Sequence, residues 1–238
     1  MSDRTAIGVS VDAGWVQVVE AATEGDRLHV CRAASEALPL GPAGAMIDPA
    51  AVARAVRTLL RRHGMARSGV YVALGGPRTM ARVVEVDPAS AGEVEQILQD
   101  RIARYAVYEN VEIAWKAEPI GPARGGSRAY LAASAVAADV SRLLHEFQRV
   151  GVGVESVEPY ELATARAQAL SAAEAAEDAP VILVAVRGES TDFLIARGRR
   201  PMLIRSVEVG ARVVAEKPDA VESIVVEARR SLAYARSQ

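Results

Sequence analysis

The chain has 238 residues, of which 50% are apolar and 24% charged, with a formal charge of −2. That length suffices for a real core in one large domain or two small ones, and the near-neutral balance gives no basis for a nucleic-acid partner. Cys31 is the only cysteine, which excludes an intrachain disulfide, and His29, His63 and His145 are scattered without metal-ligand spacing.

In chain order, apolar alternation and β-branched content predict strands at about 5–11, 15–21 and 27–34. The first two flank Asp12-Ala13-Gly14, a natural hairpin turn, and Cys31 reads as a small packed side chain within the third. After the loop LPLGPAGAMIDP, Asp48 is an N-cap with Pro49 at N1, opening a helix stopped by Gly64. Val52, Val56, Leu59 and Leu60 share its inner face, while Arg54, Arg57, Arg61 and Arg62 read as a solvated face favouring the C-terminal end of the dipole. GVYVAL at 69–74 is a buried strand, and Gly75-Gly76-Pro77 breaks the chain before TMARVVEV returns as another.

Ser90 and Glu93 form a capping box for a helix through Tyr105, with Val94, Ile97, Leu98 and Ile102 inward. Strands at roughly 111–118 and 128–135 flank the turn GPARGGS. A helix at 138–150 is expected to bury Val140, Leu143, Leu144 and Phe147, and it ends at Gly151. VGVESV is a further strand, and an Ala-rich helix runs from Pro159 to about Glu177. Residues 77–157 thus read as an inserted α+β unit.

The last segment repeats the first. Shifted by 175 positions, IGVSVDAGWVQVV lies over ILVAVRGESTDFL; in each group a third strand follows, at 27–34 and about 202–209, and then a helix. The second of these helices, 219–236, has Asp219 and Glu222 as a capping box and an expected buried side of Val221, Ile224, Val225 and Leu232. Two such halves form the duplicated α/β plan of actin-like, ribonuclease H-like folds. The expected division is 1–76 with 158–179 as the first subdomain, 77–157 as the inserted α+β subdomain, and 180–238 as the start of the second, C-terminally incomplete. Residues 1–20 carry no basic-then-apolar leader pattern, and VILVAV at 181–186 is too short to cross a bilayer.

Five pieces in order carry a family resemblance: IGVSVDAGWVQVVE; VYVALGGPRTMARVVEV with its helix; YLAASAVAADV through FQRVGVGVESVEPYELATARA; ILVAVRGESTDFLIARGRRPMLIRSVEVG; and VESIVVEARRSLAYARS. Together the chain resembles the first two-thirds of PilM-type, actin-like proteins of type IV pilus assembly. The resemblance implies a cytoplasmic protein, peripheral at the inner membrane, that docks onto the cytoplasmic N-terminal tail of an inner-membrane pilus assembly protein. A homo-oligomer is compatible with it. It also implies that two hairpin loops would face a nucleotide. In the family's first phosphate loop, in register with Val18-Val19-Glu20, Ser10 stands at the Asp position, Asp12 at a Gly and Gln17 at the Lys, with Gly14 completing the turn. In the second loop Ala185 and Arg187 replace an Asp-x-Gly pair, followed by Gly188 and the matching Thr191.

Carboxylates in such a loop hold Mg²⁺, whose charge offsets that of the phosphates, and glycines let backbone N–H groups approach. Ser10 and Ala185 supply no negative ligand. The resemblance therefore implies a scaffold without ATP hydrolysis, with no metal and no cofactor. Two alternatives stay open: a two-residue register slip that makes Asp12-Ala13-Gly14 a working loop for ATP and Mg²⁺, or the cytoplasmic domain of a GspL-like type II secretion protein. For the partner tail, Met80, Arg82 and Val84 of TMARVVEV and Tyr160 are the candidate lining.

Overall fold

The computed structural model describes residues 5–12, 14–24, 27–39, 48–76, 78–87, 91–105, 111–171 and 179–237. The chain divides into two compact units, Met1–Gly76 with Ala137–Tyr160, and Pro77–Val136 with Glu161–Gln238.

The first unit is one five-stranded sheet in the order β3-β2-β1-β4-β8, where β1 is Thr5–Asp12, β2 Trp15–Glu24, β3 Arg27–Ala37, β4 Val70–Leu74 and β8 Val154–Pro159. The β1–β2–β3 ladder is antiparallel, whereas β4 runs parallel to both β1 and β8. Parallel neighbours need a crossover, and helices α1 (Pro49–Arg62) and α3 (Ala137–Arg149) supply the apolar cover. Asp48 caps α1 as expected, its Oδ1 accepting from the Ala50 N–H at 3.0 Å. Alternation sends Ile7, Val9 and Val11 of β1 and Val16 and Val18 of β2 into one core with Val56, Leu59, Leu60 and Phe147. Cys31 is exposed on the edge strand β3, not packed.

The second unit holds two antiparallel three-stranded sheets. One has the order β5-β7-β6, from Thr79–Val86, Arg128–Val136 and Ile113–Pro122, and carries α2 (Ala91–Tyr105) on Leu98 and Ile102. The other has the order β11-β10-β9, from Arg200–Val207, Thr191–Arg197 and Pro180–Val186. Both faces of β10 are buried, Leu194 packing with Leu162 and Ala165 of α4 (Tyr160–Ser171). A short α5 (Ala211–Glu216), a 3₁₀ turn at Pro218–Ala220 and α6 (Val221–Ser237) complete the described chain.

Four expectations are corrected. The inserted unit does not extend to residue 157: β8 pairs with β4, and Phe147 and Leu143 of α3 enter the core of the first unit. Periodicity identifies a strand but not the sheet that strand joins, because that choice is made by a non-local partner. In α3, Leu144 is exposed. In α6 the expected inner face is turned away: Val221, Val225 and Leu232 are exposed, and Glu227, Ser231 and Ala235 are buried. On the inward side, Glu227 meets Arg205 in an ion pair at 2.8 Å. Asp219, expected to cap α6, lies within the 3₁₀ turn ahead of it. The helix after Pro159 is described as far as Ser171, so its expected end at Glu177 lies outside the described residues, as does Ser90 of the first capping box.

Candidate functional site

The two loops singled out in the sequence are built differently. In the first unit the β1–β2 ladder runs without interruption from Thr5↔Ala22 to Asp12↔Trp15, with Ser10 opposite Gln17 and Val9 opposite Val18. Asp12 therefore pairs with Trp15 at the hairpin end, and Gly14 there has φ 81°, a conformation that favours glycine. Ala13 itself lies outside the described residues. The Gly14 carbonyl accepts from the Leu38 N–H at 2.8 Å, which ties the turn to the end of β3. Ser10, Asp12, Gly14 and Gln17 thus share one regular hairpin end.

The loop after β9 in the second unit is a charged cluster closed on itself. The Arg187 side chain turns inward and is 7% exposed. Its Nε lies 2.8 Å from Asp192 Oδ2, and its Nη2 lies 3.1 Å from Asp192 Oδ1 and 3.2 Å from Glu161 Oε1. The Ser206 hydroxyl donates to Asp192 Oδ1 at 2.7 Å and sits 3.4 Å from Glu161 Oε1. Strand pairing explains this convergence: Asp192 stands opposite Ala185 on one side and Ser206 on the other, while Glu161 comes from the first turn of α4. One guanidinium thus serves two buried carboxylates. Burial, and then the charge of Asp192, push the Glu161 carboxyl up from 4.5 to about 7 against the pull of Arg187. Glu161 Oε2 has no hydrogen-bond partner among the described residues, so that oxygen is the natural seat of the proton.

The loop's backbone faces inward as well. Arg187 N–H donates to Ser190 O at 2.8 Å, and the Arg187 and Gly188 carbonyls accept from the Ala211 and Arg212 N–H groups at 2.8 and 3.0 Å. Those are the free donors of the first turn of α5, already satisfied by the loop. Thr191 is fully buried, its hydroxyl donating to Val209 O at 2.7 Å. The closure depends on Gly210: a Cβ there would lie 2.5 Å from Gly188 O and from Ser190 N, and 2.6 Å from Arg187 O. Arg187, Gly188 and Thr191 are therefore together. Glu161, Asp192, Ser206 and Gly210 are the members the sequence reading missed. The available signal was Arg187 itself, since an arginine ending an apolar strand needs a buried counter-charge.

The candidate peptide lining is less coherent. Met80, Arg82 and Val84 share one face of β5, but Val84 is 2% exposed within the core under α2, and Met80 packs against the same cluster. Val84 is thus corrected to a core residue. Arg82 lies over the Tyr105 ring, 4.7 Å from its centroid. Tyr160 is half-buried and belongs to the first unit.

Among the described residues, no group of three or more His, Cys, Asp or Glu side chains is placed to hold a metal ion, and no helix is long and apolar enough to cross a membrane. No protein-family model matches the sequence, and neither does any curated protein. Solved structures do match. A Bacteroides thetaiotaomicron protein with an actin-like ATPase fold and unknown function overlays with TM-score 0.52 at 8% identity, covering 95% of this chain and 76% of that one. The chain thus has the actin-like fold. Within that class it is similar to a chain of the PilM–PilN type IV pilus biogenesis complex, with TM-score 0.74 and 19% identity over 98% of this chain and 78% of that one. At such identities the likeness is one of fold.

Proposed function

We propose that the chain is a non-hydrolysing, actin-like scaffold of a type IV pilus assembly platform, cytoplasmic and held at the inner membrane through the N-terminal tail of a membrane partner. The observation that carries this reading is the inward Arg187, locked between Glu161 and Asp192. A phosphate loop must offer N–H groups and leave space for a metal with negative ligands. Here the loop turns two carbonyls onto α5, fills its interior with a guanidinium, and has Ala185 and Ser10 at the positions where the family resemblance expects acids. These residues do not suit Mg-ATP. The fold likeness to a chain of the PilM–PilN complex supports the pilus assignment; an extended tail adding to a sheet edge or lying in a groove is one general mode of peptide recognition. Met80 and Arg82 on β5 remain the candidate contacts, and Tyr160, which belongs to the first unit, is not grouped with them.

Two measurements test the two halves of this proposal. Titration calorimetry with Mg-ATP is expected to show no heat of binding; saturable binding that Asp12→Ala abolishes would instead support the ATPase alternative. Fluorescence anisotropy with a synthetic N-terminal tail of a pilus inner-membrane protein is expected to show binding. Its absence at high micromolar peptide would overturn the scaffold role.

A further inference from the structure

The hairpin between β10 and β11 turns through Arg197-Gly198-Arg199-Arg200, three arginines in four residues. Strand pairing sets Arg197 opposite Arg200, so two like charges face each other across the ladder. Directly opposed like charges destabilise a strand pair, and an anion between them removes that penalty. Among the described residues, no carboxylate forms an ion pair with Arg197, Arg199 or Arg200. The turn is nevertheless held in place. Gly198 takes φ 54°, its carbonyl accepts from the Gln168 amide at 3.3 Å, and Arg200 donates from Nη2 to the Pro122 carbonyl. That last bond uses one of the guanidinium's five N–H donors, so the group is anchored with donors to spare.

Beside the arginines lies a hollow of about 250 Å³. Its lining combines Arg197 and Arg200 with Val83, Ala129, Met202 and Tyr234. Glu85 is the one acid there, and it makes no ion pair with these arginines. All of these residues belong to the second unit, so the hollow lies within one compact body. Pockets that take whole small molecules run from about 300 to 1,000 Å³, which makes this one a seat for a single large side chain. Alternation along β5 puts Val83 and Glu85 on the opposite face from Met80 and Arg82, the candidate contacts of the membrane partner's tail.

We propose that this hollow and its arginines bind an acidic peptide segment of a second protein partner. A large apolar side chain of the peptide enters the hollow, and flanking carboxylates pair with Arg197, Arg199 and Arg200. Guanidinium forks match carboxylates with two parallel hydrogen bonds, and an apolar anchor in a pocket with arginines beside it is where binding energy concentrates. A lone inorganic anion would meet the charge and leave the hollow unfilled. The site is separate from the tail contacts, so the inference stands whether or not the tail binds.

The test is fluorescence anisotropy of the full chain with three labelled hexapeptides. Glu-Asp-Leu-Phe-Glu-Asp is expected to bind saturably. Glu-Asp-Ala-Ala-Glu-Asp, which lacks the anchor, and Gln-Asn-Leu-Phe-Gln-Asn, which lacks the charge, are expected to bind at least about tenfold more weakly. Arg197→Ser combined with Arg199→Ser, both at exposed positions, is expected to keep the circular dichroism spectrum and weaken the first peptide at least about tenfold. Ala123→Leu, at a half-buried position of the lining, is expected to weaken the first peptide and leave the Ala-Ala peptide unchanged. No saturable binding of the first peptide at high micromolar concentration overturns the proposal. So does equal affinity for the first two peptides, which would make the arginines a plain charged patch, and so does undiminished binding to the arginine variant.

Discussion

Strands β1 and β9 occupy the same place in the two repeats, 175 positions apart, and are alike as sequences: IGVSVD against ILVAVR. Their surroundings are opposite. Strand β1 lies inside a five-stranded sheet with β4 beside it, and its Ile7, Val9 and Val11 are buried. Among the described residues, the matching Ile182, Val184 and Val186 lie on a strand paired on one side only, the last two exposed. The residues that end the strands diverge as well. Asp12, half-buried, closes a plain hairpin, whereas Arg187 is drawn into a buried cluster with two acids. An identical pattern of alternation thus does not by itself say what lies beside the strand. A charge drawn into a core must be partnered there.

The strongest way to break the contrast is to delete both charges in turn. Arg187→Ala leaves two carboxylates buried without their cation and is expected to cost about 3–5 kcal/mol. Asp12→Ala, on the hairpin turn, is expected to cost under about 1 kcal/mol. Urea unfolding of the two variants checks the difference, and equal losses would remove the distinction between the loops. Gly210→Ala comes next, at about 1–3 kcal/mol, because the added Cβ collides with backbone and not with a flexible side chain. Its thermal midpoint should fall, and the amide protons of Ala211 and Arg212 should exchange faster.

The smallest effect concerns the proton on Glu161. Between 4.5, the value in an unfolded chain, and about 7, the folded protein keeps a proton that the unfolded chain has released. The Glu161 contribution to stability is therefore fully present below pH 4.5 and is lost as pH rises through about 7. Glu161→Gln mimics the protonated form and is expected to flatten that slope. Denaturation at pH 5 and pH 8 should show the variant gaining on the wild type at the higher pH, and parallel curves would show that Glu161 does not titrate in this window.

Much of the secondary structure was legible because it is local. Asp48-Pro49 announced α1, TMARVVEV gave β5 at the expected residues, and the offset of 175 found both hairpins. The misreadings share one cause. Strand β8 joins the first unit by pairing with β4, whose other side already holds β1, and α6 turns Glu227 inward toward Arg205 of β11. Val84 looked available on an alternating strand, yet α2 covers that face. Strands β4 and β8 lie far apart in sequence, whereas α2 follows β5 directly. For the second loop the sequence showed an arginine where a phosphate loop would have glycine, but not the acids waiting for it.

By itself, the order of residues determined the duplicated actin-like plan, the hairpin turns, and the absence of acids at Ser10 and Ala185, since these follow from side-chain period, turn chemistry and charge at fixed positions. Tertiary structure alone decided that Arg187 points inward, that Gly210 seals the loop, and that β1 is enclosed between β2 and β4. Those outcomes depend on which distant strand or helix arrives to supply a counter-charge, a steric wall or a hydrogen-bonding neighbour.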